Sequence, residues 1–183
     1  MKLIILDRDG TINEDREDFI KSADEWQPLP GAMDAIARLC QAGWRVVVAT
    51  NQSGLGRGQF DMTALNAMHA KMNRLLAAQG ARVDAIFYCP HLPEDACACR
   101  KPEAGLFEQI RDRFRVDMRQ VPTVGDSLRD LKAGASLGCP THLVLTGKGA
   151  VHRGQALPPE FPAGTQVHED LQGFVQHLLA KAP

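Results

Sequence analysis

The sequence lacks an excess of charge of either sign. Its 21 lysine and arginine residues nearly balance its 22 aspartate and glutamate residues, and the formal net charge is −1. Proteins that bind nucleic acids or anionic membrane surfaces through electrostatics usually carry a basic patch or tail. The balance of charge therefore disfavours a nucleic-acid partner and a membrane partner.

The sequence also lacks a long uninterrupted apolar run. Only Lys2 contributes a positive charge before the first apolar stretch, which Asp7 ends, so neither a signal peptide nor a membrane span is predicted. A cytoplasmic location is the resulting expectation. Repeats and low-complexity tracts are missing as well. With 183 residues, 44% of them hydrophobic, the chain can bury one substantial core, and we predict a single domain over residues 1–183.

Segments with strand and helix periodicity alternate along the chain. Strands are predicted at residues 3–6, 44–49, 85–88, 121–124 and 142–145. Helices are predicted at residues 31–41, between Asp61 and Gly80, and at residues 106–114, 128–137 and 171–180. Such alternation implies parallel strands joined by right-handed crossovers. The predicted fold class is α/β, a three-layer doubly wound sandwich with a mainly parallel central sheet.

Two further groups of side chains are interpreted as structural. The helix after Asp61 has an apolar face whose two methionines are assigned to the core, and the face comprises Leu65, Met68, Met72, Leu75 and Leu76. Five histidines without partner spacing are interpreted as structural or surface residues: His69, His142, His152, His168 and His177. The proline-rich segment 157–162 is predicted to be a late loop.

Two carboxylates, Asp7 and Asp9, stand one residue apart just after the first predicted strand. A strand that ends there presents both acids at its carboxyl edge, where ligands bind in open α/β sheets. One aspartate can attack phosphorus while the other donates a proton to the leaving oxygen and later activates water. The pair therefore suits phosphoryl transfer, and an ordinary acidic turn is the alternative.

Four of the soft metal ligands lie in one short segment. Cys89, His91, Cys97 and Cys99 supply three thiolates and one imidazole, a full tetrahedral set for a structural Zn²⁺. Disulfides or free thiols are the alternatives, but disulfides fit poorly with the expected cytoplasmic location and with the Cys-x-Cys spacing. The two remaining cysteines, which we interpret as small apolar side chains, are Cys40 and Cys139.

Two cations, Arg100 and Lys101, directly follow this cysteine segment. A closed metal site can fix a loop without a large core beneath it. We therefore predict a zinc-stabilised loop that holds both cations toward the site of phosphoryl transfer at Asp7 and Asp9.

Four segments together resemble the motifs of the haloacid dehalogenase (HAD) superfamily of phosphohydrolases. They are residues 6–12, the run Thr50-Asn51-Gln52, Lys101 within Cys-Arg-Lys-Pro, and residues 124–130. Each is weak alone, but four in the right order, each at the end of a predicted strand, are specific. The resemblance covers nearly the full chain and implies a HAD-like Rossmannoid fold and phosphatase activity.

Within the superfamily, the motifs are most similar to the family that removes the C7 phosphate of D-glycero-D-manno-heptose 1,7-bisphosphate in ADP-heptose synthesis for lipopolysaccharide. The resemblance implies that Asp7 is the nucleophile and forms an aspartyl-phosphate, and that Asp9 is the general acid and base. It implies Mg²⁺ held by Asp7, Asp126 and the Asp9 backbone carbonyl. The residues implied around the transferring phosphoryl group are Thr50, Asn51 and Lys101.

The same resemblance implies contacts to the rest of the substrate. The residues in question are Arg8, Asp15, Arg16, Glu17, Asp18, Asn51, Gln52, Ser53 and Arg100. The chain departs from the pattern at one position, because Ser127 stands where some members have a lysine.

Residues 12–30 are too few for a separate cap domain, and we expect the compact zinc loop to occupy the other usual insertion point. We therefore expect no large cap, an open site, and discrimination through loop contacts to a small sugar bisphosphate. A monomer is the default expectation.

Two other functions compete with this interpretation. Histidinol-phosphate phosphatases share the four motifs and a similar zinc loop, although residues 51–58 favour the heptose family. A zinc-dependent nucleic-acid-binding module with vestigial acidic motifs is the alternative from another class, and the near-neutral charge disfavours it.

Overall fold

A computed structural model describes residues 1–181 of the chain. The strands, in chain order, are β1 (Leu3–Leu6), β2 (Arg45–Asn51), β3 (Ala85–Cys89), β4 (Thr123–Gly125), β5 (Thr141–Val144) and β6 (Gln166–His168). They form one sheet in the order β3-β2-β1-β4-β5-β6, and every neighbouring pair is parallel. The predicted parallel sheet is confirmed.

Helices connect the strands. They are α1 (Ala32–Gln41), α2 (Ser53–Gly56), α3 (Met62–Ala77), α4 (Gly105–Phe114), α5 (Leu128–Ala135) and α6 (Leu171–Ala180). Short 3₁₀ turns occur at Pro93–Asp95, Met118–Gln120 and Gly147–His152. The carboxylate of Asp61 caps α3 by accepting a hydrogen bond from the Ala64 amide at 2.9 Å, which confirms the predicted start of this helix.

The two faces of the sheet carry separate apolar cores, as a three-layer sandwich requires. Along β1, Ile4 and Leu6 point into the core that includes α1, α3 and α6. Leu3 and Ile5 alternate with them and point into the core that includes α4. Burying each such side chain contributes about 1.5–3 kcal/mol. Because β1 is buried on both faces, it forms a rigid support for the loop that follows it.

Among the differences from the sequence-based predictions, three concern β6, β4 and Leu75. The strand β6 was not predicted, because its three residues at the sheet edge carry no apolar run and Val167 is exposed. The strand β4 begins at Thr123 instead of residue 121, since Pro122 has no amide hydrogen for the ladder. Leu75, which the sequence places on the apolar face of α3, is 36% exposed and lies at the margin of that face.

The segment between β1 and α1 packs against the domain and does not build a separate cap. Trp26 is fully buried there, and the Lys71 Nζ on α3 donates hydrogen bonds to the Ala23 and Trp26 carbonyl oxygens at 2.8 and 2.6 Å. Over residues 1–181, no large cap domain covers the carboxyl edge of the sheet. None of the helices in that range combines the length and apolar character that a membrane crossing requires.

Three of the histidines interpreted as structural meet at one end of the sheet. The His142 Nδ1 on β5 lies 3.1 Å from the His168 Nε2 on β6, and the His168 ring centroid is 5.2 Å from that of His177 on α6. Burial, with the neighbouring rings and Lys181, lowers the pKa of His142 to about 3 and that of His168 to about 4. The folded state therefore keeps both rings neutral.

These histidines should make the protein sensitive to acid. The unfolded chain takes up protons as the pH falls below about 6.5, whereas the folded state resists protonation down to about pH 4, so stability is lost through that window. Between pH 7.5 and pH 5, we expect the melting temperature of His142→Gln to fall by roughly 5 °C less than that of the wild type. His152→Gln, outside the cluster, is the control. Parallel melting curves for wild type and His142→Gln would contradict this.

Candidate active site

The motifs identified in the sequence meet at the carboxyl edge of the three central strands. Asp7 and Asp9 follow β1, Thr50 and Asn51 end β2, and Asp126 follows β4. Because β1 lies between β2 and β4 in the sheet, these five residues lie close together. The order in which successive strands are added to the sheet reverses between β1 and β4. Such switch points are the ligand crevices of doubly wound sheets.

A buried lysine lies at the centre of this crevice. The Lys101 Nζ is 2.7 Å from the Asp7 Oδ1 and 2.7 Å from the Asp130 Oδ1, and it donates a hydrogen bond to the Ala49 carbonyl oxygen at 2.7 Å. Although burial opposes the charge, both carboxylates raise the pKa of Lys101. The lysine is therefore a fixed cation beside the Asp7 carboxylate.

Three carboxylates lie close to one another at this site. One oxygen from each of Asp7, Asp126 and Asp130 lies within 4.8 Å of the others. Burial and the Asp130 charge raise the pKa of Asp7 to about 6 even though Lys101 opposes the shift. Burial and the charges of Asp7 and Asp130 raise the pKa of Asp126 to about 8. The site holds more negative charge than its one buried ammonium group balances.

The third carboxylate, Asp130, is tied to the lysine and to the start of α5. Its Oδ2 accepts hydrogen bonds from the Ser127 amide at 3.1 Å and the Ser127 hydroxyl at 2.7 Å. Although burial opposes it, Lys101 and Ser127 lower the pKa of Asp130. Ser127, the position where the chain departs from the family pattern, is thus engaged in a helix cap.

The loop after β1 needs a glycine to reach Asp126. Gly10 has φ +84°, and a Cβ atom on it would overlap the Asp126 carboxylate. The Asp126 Oδ2 also accepts a hydrogen bond from the Lys148 amide at 2.8 Å. A side chain at position 10 would therefore displace the Asp126 carboxylate.

Four donors surround the second acid, Asp9. Its Oδ1 accepts from the Arg8 Nε at 3.0 Å and from the Asn13 Nδ2 at 2.8 Å. Its Oδ2 accepts from the Arg8 Nη2 at 3.1 Å and from the Gln52 Nε2 at 2.8 Å. Although burial opposes it, the Arg8 charge and these hydrogen bonds lower the pKa of Asp9. Asp9 is therefore a carboxylate in the resting protein, and its side chain stays 22% exposed.

The side chain of Asn51 ties the end of β2 to the lysine loop. Its Nδ2 donates to the Lys101 carbonyl oxygen and its Oδ1 accepts from the Lys101 amide, both at 3.0 Å. This reciprocal pair fixes the backbone from which Lys101 extends. The second-motif residue Gln52 likewise joins Asp9 to the Thr50 hydroxyl, which it contacts at 3.0 Å.

The cysteine-rich segment folds into a tight cluster immediately after β3. The Cys99 Sγ lies 3.1 Å from the Cys89 Sγ and 3.6 Å from the Cys97 Sγ, and the His91 Nδ1 lies 3.2 Å from the Cys99 Sγ. Ligands about 2.3 Å from a tetrahedral zinc are roughly 3.8 Å apart, close to these distances. The four groups form a candidate zinc site, directly before Arg100 and Lys101.

A cavity of about 810 Å³ opens above the two acids and the lysine. The predicted site residues that line it are Asp7, Asp9, Asp15, Arg16, Glu17, Thr50, Asn51, Ser53, Arg100 and Lys101. Residues not predicted as site residues also line it: Glu14, Phe19, Leu29, Arg57, Arg129, Gly147 and Lys148. The cavity is thus acidic at its floor and rich in cations around its wall.

Three residues implied as substrate contacts lie elsewhere. Arg8 is fully buried and bonded to Asp9, so its placement contradicts a direct contact with substrate. Asp18 is not part of the cavity wall and pairs with Arg16 at 2.9 Å and Lys21 at 2.9 Å. Gln52 is buried behind Asp9. All three residues lie within or beside catalytic motifs in the sequence, but tertiary packing determines on which side of the loop each side chain lies.

Sequence reasoning also missed residues that the fold brings in. Asp130 stood inside the fourth motif, so its acidic type was a usable signal. Arg129 lies in the same motif segment, so its charge was an equally usable signal. Lys148 had no such signal, because it approaches the cavity from the loop after β5.

Two family models match the chain. Residues 2–134 match the model described as polynucleotide kinase 3 phosphatase, and residues 98–173 match the one described as HAD-hydrolase-like. Both descriptions agree with the fold and with the acidic crevice.

Comparison with named relatives identifies the family within the HAD-type phosphatases. The chain is 57% identical to D-glycero-beta-D-manno-heptose-1,7-bisphosphate 7-phosphatase of Bordetella bronchiseptica, with 100% of both chains covered, and 50% identical to that of Pseudomonas aeruginosa, with 97% of both covered. A crystal structure of the B. bronchiseptica D,D-heptose 1,7-bisphosphate phosphatase, complexed with magnesium and phosphate, has a TM-score of 0.95 at 56% identity and 100% coverage of both chains. The chain belongs to the heptose-1,7-bisphosphate 7-phosphatase family of HAD-type phosphatases.

Proposed function

We propose that this chain, as a single phosphatase domain over residues 1–183, removes the C7 phosphate of D-glycero-β-D-manno-heptose 1,7-bisphosphate. The observation that carries the proposal is the Asp7 carboxylate at the tip of β1, held 2.7 Å from the buried Lys101 ammonium at the floor of the cavity. The names of relatives that match 97–100% of the chain support the choice of substrate and of the β anomer.

In the first half of the reaction, an Asp7 oxygen attacks the C7 phosphorus while the bond between phosphorus and the C7 oxygen breaks. Lys101, Thr50 and Asn51 surround the phosphoryl group, and the lysine balances the charge on it. Asp9 gives a proton to the C7 oxygen, so the alcohol leaves neutral. The negative charge of the incoming phosphate favours the proton uptake by Asp9 that this step needs.

In the second half, water attacks the phosphorus of the aspartyl-phosphate. Asp9 takes a proton from this water as the bond between phosphorus and the Asp7 oxygen breaks. The products are inorganic phosphate, the heptose 1-phosphate and the regenerated Asp7 carboxylate. The resting charge state of Asp9, set by its four donors, suits this base role.

The carboxylate cluster fits a magnesium ion. Carboxylate and carbonyl oxygens are the ligands that Mg²⁺ prefers, and the crowded carboxylates leave negative charge for a divalent cation to balance. Asp7, Asp126 and the Asp9 backbone carbonyl would hold it, while Asp130 stays engaged with Lys101. When bound, the ion supplies further positive charge to the phosphoryl oxygens.

The remote part of the substrate meets the cationic wall of the cavity. Arg57, Arg100 and Arg129 lie there, and the Arg129 Nε has no hydrogen-bond partner within the described part of the chain. Guanidinium groups bind phosphate through paired donors. We assign recognition of the C1 phosphate to this wall and contacts with sugar hydroxyls to Asp15, Arg16 and the neighbouring acids. The monomeric state and the cytoplasmic location stay predictions.

The zinc site should matter for stability more than for chemistry. The three thiols and the imidazole fit a closed tetrahedral Zn²⁺ site, which fixes the loop that leads to Arg100 and Lys101. We expect Cys97→Ser to lower the melting temperature by about 10 °C, for a loss of about 3 kcal/mol, and to lower activity in parallel.

Cys40→Ser is the matched control, because Cys40 lies outside the cluster. Elemental analysis of the purified wild type should find about one zinc per chain, and Mg²⁺ alone should restore activity after mild chelation. A zinc-free wild type of normal stability would rule out the structural zinc.

The proposed function is tested by measuring phosphate release from a panel of esters. The panel contains the β and α anomers of the heptose 1,7-bisphosphate, the heptose 7-phosphate, histidinol phosphate and a phosphorylated oligonucleotide. The highest kcat/KM is expected for the β bisphosphate. A preference for histidinol phosphate, or salt-dependent oligonucleotide binding without phosphate release from any sugar ester, would replace the proposal with the corresponding alternative.

A further inference from the structure

The arginine between the two catalytic aspartates does not face the cavity. Arg8 is fully buried, and two of its donors, Nε and Nη2, engage the two oxygens of the Asp9 carboxylate. Its third nitrogen, Nη1, points the other way, 3.1 Å from the His69 Nε2 and 3.9 Å from the Met68 Sδ. The planar guanidinium thus joins the acid after β1 to the helix α3.

The contact with His69 has a defined polarity. A guanidinium group has donors only, so the His69 Nε2 accepts the hydrogen bond and the ring proton lies on Nδ1. Burial and the adjacent Arg8 charge lower the pKa of His69 to about 4, which keeps the ring neutral near pH 7. Near pH 7, the His69 Nε2 therefore accepts a hydrogen bond from the Arg8 Nη1.

This arrangement restricts the orientation of Asp9. A guanidinium that donates in parallel to both carboxylate oxygens fixes the plane of the carboxylate. The guanidinium in turn is fixed only if its far end is held, since the arginine side chain is long and flexible. The acceptor on α3 supplies that anchor, on the side of Arg8 opposite Asp9.

We propose that Arg8 and His69 form a positioning pair that holds the Asp9 carboxylate in line with the leaving oxygen. The inference rests on the proposed function of Asp9 as proton donor. Neither residue touches the substrate: Arg8 acts through Asp9, and His69 acts through Arg8. In the step that they assist, the Asp9 proton passes to the C7 oxygen as the bond between that oxygen and phosphorus breaks.

The loss of kcat/KM caused by removing the pair should increase with how strongly the leaving group needs a proton. A sugar alkoxide is a poor leaving group and requires proton donation, whereas p-nitrophenolate is stable as an anion at neutral pH. The constant kcat/KM includes only the steps up to release of the alcohol or phenol, so hydrolysis of the aspartyl-phosphate does not obscure the comparison. A merely structural defect would lower kcat/KM for both esters equally.

The test compares kcat/KM of His69→Ala for the heptose bisphosphate and for p-nitrophenyl phosphate. A loss of about 10- to 100-fold is expected for the sugar ester, and a loss below about threefold for the phenyl ester. In His69→Gln, the amide oxygen can accept from Nη1, and the sugar-ester activity should return to within about threefold of the wild type. Asn66→Ala, at an exposed position one turn earlier on α3, is the control and should match the wild type.

A second variant, Arg8→Lys, keeps the positive charge but loses the paired planar donors of the guanidinium. It should show the same difference between the two esters, and it tests the proposal even if His69→Ala folds poorly. Equal losses for both esters, or none, in the folded variants would overturn the positioning role. If the wild type instead prefers another alkyl phosphate, the comparison is made with that ester, so the positioning pair is tested even where the proposed substrate fails.

Discussion

Asp7→Asn should reduce kcat/KM by on the order of 10⁴-fold or more, because an amide cannot form the aspartyl-phosphate. The substitution keeps the shape of the side chain at the tip of β1. Phosphate release from the heptose bisphosphate measures the effect, with mass spectrometry to exclude deamidation of the new asparagine.

The same variant should keep its fold. Burial and the Asp130 charge raise the pKa of Asp7 to about 6, so the carboxylate is mostly ionised at pH 7.5 but is less stable in the folded protein than in the unfolded chain. In metal-free buffer at pH 7.5, the melting temperature of Asp7→Asn should equal or exceed that of the wild type. Activity near that of the wild type in a verified Asp7→Asn sample would eliminate the covalent mechanism.

Lys101→Met should lower kcat/KM for every phosphate ester by about 10²–10³-fold. Its buried ammonium lies at the floor of the cavity, 2.7 Å from both Asp7 and Asp130, and serves the phosphoryl group that all substrates share. The variant should also lose stability, by about 3–5 kcal/mol, because two buried carboxylates lose their cation. Kinetics on two unrelated esters and denaturant titrations measure the two effects.

Arg100→Ala is the matched comparison for this lysine. Arg100 lies at the half-buried wall of the cavity, where its Nη1 donates to the His91 carbonyl oxygen at 3.5 Å. Its loss should weaken hydrolysis of the bisphosphate much more than hydrolysis of p-nitrophenyl phosphate. If Lys101→Met instead spared the phenyl ester, the lysine would belong to substrate recognition and not to phosphoryl transfer.

The sequence predicted the elements of the site that follow apolar strands. Asp7, Thr50 and Asp126 each stand just after a buried hydrophobic run, and parallel strands bring such positions to one edge. The cluster of three cysteines and one histidine could also be predicted from the sequence, because all four candidate ligands lie within one short segment. Local pattern and sheet topology were sufficient in both cases.

The sequence could not predict contacts that depend on packing between distant segments. The ion pair between Lys101 and Asp130 forms only once the loop after β3 crosses the central strands. The burial of Arg8 depends on α3, which supplies His69 from 61 residues away. A motif shows that a charged residue is present. The packing of the neighbouring helix or strand determines on which side of the loop its side chain lies.

The limits of the fold prediction have the same origin. The strand β6 is an edge strand of three residues, and it forms because its backbone pairs with β5. His142 and His168 meet across this pair, so their contact was equally hidden in the sequence. Elements whose own residues bury little apolar area give weak patterns.

The central claim, removal of the C7 phosphate, is tested most directly by ³¹P NMR of the products formed from the heptose 1,7-bisphosphate. The signal of the C7 phosphate should disappear as inorganic phosphate grows in, while the signal of the phosphate at C1 remains. The same spectrum recorded with Asp7→Asn should show no change. Loss of the C1 signal, or release of both phosphates at equal rates, would contradict the account.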